Sequence, residues 1–75
     1  MAWKQTTEER YDEMLGVLPP ALWLGHGFLV GEPFDHDRMG RPRFAAFVYI
    51  DGKFYENSDP MTAQEFRACL QGRRP

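Results

Sequence analysis

The 75-residue chain is poor in the side chains that build covalent or metal frameworks, with a single cysteine, Cys69, and two histidines. One thiol closes no internal disulfide, and it supplies no zinc site without further cysteines or histidines beside it. Long apolar runs are missing too. No segment approaches the roughly 18 apolar residues of a membrane span, and the opening "MAWKQTTEER" holds no stretch of signal-peptide length, so a soluble, cytoplasmic protein is expected. A basic excess is also lacking: the net charge is -2 and the pI about 5.6, which is not the footprint of an ordinary nucleic-acid binder.

Sites of chemistry are equally sparse. Asp35-His36-Asp37 is the one cluster of metal-ligand types. Its D-x-D start resembles a calcium loop, but Met39 and Ala46 stand where such a loop needs an oxygen ligand and its closing glutamate. Cys69 falls on the apolar stripe of a helix, where a thiol stays protonated and structural. His26, between two glycines, is a minor candidate, because glycines allow another chain to approach closely. No acid, base and nucleophile converge, so neither an enzyme nor a cofactor or metal site is expected.

What the chain has is apolar and aromatic residues, 43% and 15% of the total, enough to offset ordering entropy and fold. At this length folding buries only about 60% of the surface of the unfolded chain, so stability is marginal or shared with a partner. Charge is split along the chain. Residues 1 to 37 carry seven acids and two bases, and residues 38 to 75 carry four acids and seven bases.

A first helix opens at Thr6 or Thr7, where Thr6-x-x-Glu9 has capping-box spacing and Glu8, Glu9 and Asp12 suit the helix dipole. Tyr11, Met14, Leu15 and Leu18 form its stripe until Pro19-Pro20 stops it. Residues 21 to 27 read as irregular. A short strand from Phe28 to Val30 or Gly31, closed by Pro33, reads as an edge, and residues 35 to 42 as a charged loop. Asp51-Gly52 suits a type I′ turn, which sets Ile50 opposite Lys53, Tyr49 opposite Phe54, Val48 opposite Tyr55 and Phe47 opposite Glu56. A last helix follows Thr62 and Glu65 as a capping box, with Met61 and Phe66 as a staple, Phe66, Cys69 and Leu70 as its buried stripe, and Gly72 as its stop. The expected fold is one α+β domain over residues 1–75, two-layered, with a three-stranded antiparallel sheet and two helices in the order α-β-β-β-α. Residues 1–5 and 73–75 are expected to be flexible.

The hairpin "RFAAFVYIDGKFYEN" is apolar on both faces. With both helices on one face, the other meets water or a partner. The face of Phe44, Ala46, Val48 and Ile50 is assigned to the core, because the opposite face sets Glu56 beside Phe47 and a lone mid-sheet carboxylate prefers solvent. Phe47, Tyr49 and Phe54 are then outward, and with Arg38, Arg41 and Arg43 they make the candidate interaction surface. The alternative is that residues 19 to 27, with Leu22, Trp23 and Leu24, or an N-terminal arm with Trp3, fold across that face as ordinary core. Rings with arginines suit a protein partner or a second copy of the chain. They also suit single-stranded nucleic acid, although "RFAAFVYI" lacks the glycines of a ribonucleoprotein motif.

The segments "YDEMLGVLPPALW", "GFLVGEPFDH" and "GRPRFAAFVYIDGKFYENSDPMTAQEFRA" resemble a group of short uncharacterised proteobacterial proteins often found on plasmids and other mobile elements, a likeness spanning Tyr11 to Ala68. The resemblance carries no catalytic residues. It implies a bacterial, cytosolic accessory role, and small proteins of mobile elements often act by binding a host protein or complex.

Overall fold

The structure is a computed structural model and describes residues 3–71. Its elements run β1 (Trp3–Thr6), α1 (Glu8–Val17), β2 (Leu22–Trp23), β3 (Gly27–Leu29), β4 (Asp35–His36), β5 (Pro42–Arg43), β6 (Ala46–Ile50), β7 (Lys53–Asn57) and α2 (Ala63–Gln71). Five strands form one antiparallel sheet in the order β1-β7-β6-β3-β2, and β4 with β5 forms a separate two-stranded ribbon. The chain is α+β with two helices, but the expected three-stranded sheet and α-β-β-β-α order are overturned.

Three strands account for the difference. Residues 3–5, expected to be flexible, and Thr6, expected at the opening of the first helix, form β1, which pairs with β7 from Trp3 opposite Asn57 to Thr6 opposite Phe54. Leu22–Trp23, expected as irregular, pairs with β3 and makes the other edge, so β3 is an interior strand. The charged loop of residues 35 to 42 folds into the ribbon. Met1, Ala2 and residues 72–75, including the expected stop Gly72, lie outside the described residues.

The hairpin forms with the register its turn dictates. Asp51 and Gly52 adopt φ of 52° and 78°, and all four expected cross-strand pairs are present. α2 also starts as its sequence requires. Thr62 Oγ1 accepts from Glu65 N at 3.1 Å, Glu65 Oε1 accepts from Thr62 N at 2.8 Å, and Met61 and Phe66 are both buried. At α1 the cap moves by one residue. Thr6 is committed to β1, so Thr7 is the N-cap and its hydroxyl accepts from Arg10 N at 3.2 Å, which leaves Glu9 out of any box.

The expectation of both helices on one face is corrected, because strand alternation separates two cores. Leu29, Phe44, Ala46, Val48, Met61, Phe66 and Leu70 pack together on the α2 side, and Tyr11, Phe28, Val30 and Phe47 pack on the α1 side. Val48 and Phe47, adjacent in sequence, therefore belong to different cores, and the sheet is the middle of three layers. Gly31 fixes where α1 hands over to β2: a Cβ there would collide with the carbonyl oxygen of Pro19, and only glycine permits that approach.

Candidate functional site

Phe47 is the residue whose placement changes most. Expected outward, it is 1% exposed and sealed under α1. Its ring stacks on Phe28 at 5.4 Å, and Tyr11 meets Phe28 edge-on at 5.1 Å and Phe54 at 4.9 Å. The reason is the carboxylate that argued for solvent. Glu56 accepts a hydrogen bond from Arg10 Nε at 3.1 Å, and the same guanidinium lies 5.6 Å from the centroid of Phe47. One cation from α1 thus satisfies the mid-sheet acid and covers the ring beside it, so this face is compatible with burial. The alternative held in sequence, an irregular lid or an arm across the face, is not what covers it; a helix is.

The rim of that face remains open. Trp23, set on the same side as its cross-strand partner Phe28, is 63% exposed, and Tyr49 is 44% exposed against the half-buried Phe54 at 4.8 Å. His26 is exposed next to Tyr49, whose N–H donates to the His26 carbonyl at 2.8 Å. A shallow depression of about 390 Å³ runs between the start of α1 and the hairpin tip, lined by Glu8, Tyr11, Gly25, Tyr49, Gly52 and Phe54. Burial pushes the Tyr11 hydroxyl above the usual tyrosine range, and the neighbouring Asp12 carboxylate adds to the shift.

The three arginines do not join these rings. Arg43 forms a bidentate pair with Asp35, both contacts at 2.6 Å, and Arg41 Nε donates to Asp37 at 2.9 Å. Arg38 is exposed in the loop between β4 and β5. Six residues of extended chain separate Arg43 from Tyr49, on the order of 20 Å. The Arg43 guanidinium holds Asp35 below the usual carboxylate range, and the Arg41 and Met39 amides with the Arg41 side chain do the same for Asp37. The ribbon also exposes two large apolar side chains, Phe34 at 72% and Met39 at 78%.

Cys69 is half-buried at the end of α2. Among the described residues no three His, Cys, Asp or Glu side chains gather as a metal site, and no helix is long and apolar enough to cross a membrane. Sequence reading missed Trp23 as an exposed partner of Phe28, since a two-residue strand has no period to detect. Compared with protein-family models, curated proteins and solved structures, the chain matches none, so the functional reading rests on geometry.

Proposed function

We propose that the protein is a non-enzymatic binding module that docks another protein on the aromatic rim of its α1 face, with Trp23, Tyr49 and Phe54 as anchors. The observation that carries this reading is the exposure of Trp23 and Tyr49 on either side of a closed aromatic core. Large rings held by a rigid sheet lose little conformational entropy on binding, and such residues dominate interface hot spots. Phe47, being buried, takes no part in contact, and the arginines lie elsewhere. With Arg43 paired to Asp35, Arg41 to Asp37 and Arg10 to Glu56, little unpaired basic charge stands beside the rings, which favours a protein partner over single-stranded nucleic acid. A host complex as the target, and a mobile element as the source, would suit this role and follow from the sequence resemblance alone.

The test is affinity capture from a bacterial lysate with the wild-type chain and with Trp23→Ser/Tyr49→Ser, together with sedimentation of each. Both side chains are exposed, so the double variant keeps the wild-type fold by circular dichroism. A captured protein, or a self-associated form, that the variant loses supports the reading. Identical capture and identical sedimentation by both chains would end it.

A further inference from the structure

The second face of the sheet holds a different site. Five strands set about 4.8 Å apart span about 19 Å between the outer two, and a helix with its side chains is about 10 Å wide. Each face therefore has room for about two helices, and α2 fills one place. It lies over β3 and β6, where Phe66 sits against Gly27 and Val48. Among the described residues, no helix lies above the half of the face belonging to β7 and β1. What remains there is a cleft of about 470 Å³ whose floor is Val48, Ile50 and Tyr55 and whose walls are Trp3 on one side and Leu70 on the other. That volume lies within the range of small-molecule sites, and an apolar floor with a few polar groups at the rim is their usual make-up.

Apart from the Asp51 carboxylate, the polar groups at this cleft share one character. The Trp3 indole N–H and the Lys53 ammonium can only donate hydrogen bonds, the Tyr55 hydroxyl donates readily, and the Cys69 thiol is a weak donor. Among the described residues, neither Trp3, Lys53 nor Tyr55 has a side-chain hydrogen-bond partner. Strand alternation places Lys53 on the same face as Tyr55, and both line the cleft. The one carboxylate of the lining, Asp51, belongs to the exposed turn.

We propose that this cleft binds a small amphiphile with an apolar body and a carboxylate head, the body lying on Ile50, Tyr55 and Leu70 and the head accepting hydrogen bonds from Lys53 and the donors beside it. The site is separate from the protein-docking rim, which lies on the opposite face.

The chain carries its own reporters. Cys69 is its single thiol, and of its two tryptophans only Trp3 borders the cleft, so Trp23→Phe leaves Trp3 as the sole indole emitter. The probes are 4-phenylbutyrate and 4-phenylbutylamine, which share a body and differ in the sign of the head. In the full-length Trp23→Phe chain, 4-phenylbutyrate is expected to change Trp3 emission saturably and to slow iodoacetamide alkylation of Cys69 with the same dissociation constant. The amine should bind at least about tenfold more weakly, Lys53→Met should weaken the butyrate by about tenfold, and Lys53→Arg should restore most of it, as a charge-assisted hydrogen bond requires. Lys53 is exposed, so neither substitution threatens the fold. Absence of saturable change in both readouts would overturn the proposal. So would an amine that binds as tightly as the acid through Asp51, or a Lys53→Met chain that binds the acid unchanged.

Discussion

The two faces of the sheet are covered by helices of similar length and end in different states. On the α1 side four rings, Tyr11, Phe28, Phe47 and Phe54, interlock, and one arginine closes the gap above Glu56. On the α2 side the packing is mostly aliphatic, and the helix covers only part of its face. Each helix encloses the centre of its face and leaves a margin open: the ring core under α1 is closed at Phe28 and Phe47 while Trp23 and Tyr49 stay exposed at its rim, and the core under α2 is closed at Val48 and Phe66 while Ile50 and Tyr55 border a cleft.

Truncations on the two sides sharpen this contrast. Phe47→Ala removes a fully enclosed ring and should cost about 3–5 kcal/mol, most of the stability of a small domain, measured by urea denaturation. Leu70→Ala borders a cleft that is already open, so less new cavity forms and the loss should fall near about 2 kcal/mol. Equal losses at the two positions would break the comparison. Gly31→Ala acts at the seam of the α1 face, where a methyl group meets the Pro19 carbonyl. It should cost about 1–3 kcal/mol, seen as a lower midpoint with an unchanged denaturant slope.

Smaller effects test the polar closure. A double-mutant cycle on Arg10→Ala and Glu56→Ala should give a coupling of about 0.5–1 kcal/mol, because Arg10 is half exposed and water screens the pair. A coupling near zero would mean that the arginine closes this face by packing on Phe47 alone. The ribbon should show the mildest response. Asp35 and Asp37 titrate below their ordinary range, so their contribution is complete above an unfolded value near pH 3.9 and is lost as pH falls through the lower folded values. Amide exchange at Met39 and Arg41, whose N–H groups donate to Asp37, should therefore accelerate only in strong acid, while the amides of β6 stay protected.

Legibility from sequence followed the length of each local signal. The hairpin register and the start of α2 were readable because a type I′ turn and a reciprocal cap are set by residues within a few positions of each other. The strands β1 and β2, of four and two residues, were not, since "WKQT" and "LW" are too short for a period and owe their conformation to partners far along the chain. That omission cost the sheet its width and set β3 at an edge. It also misplaced α1, which follows β1 directly and is carried by it onto the ring face. For the candidate site, alternation puts Tyr49 and Phe54 on the ring face, where Tyr49 is exposed and Phe54 half-buried, while the burial of Phe47 is hidden from sequence because the Arg10 partner of Glu56 lies 46 residues away. The face opposite Phe47 was expected to be ordinary core throughout, and nothing in the sequence spacing reveals that, among the described residues, a cleft remains beside α2.

The pairing of β1 with β7 has a consequence for the order of events during synthesis. Trp3 must wait for Asn57 before it has a strand to join, and until then α1 has no completed ring surface on which to lie. β1 thus settles only once β7 is in place, so a bulky group set just ahead of Trp3 bears on a pairing that closes a long stretch of chain, whereas one placed after α2 does not.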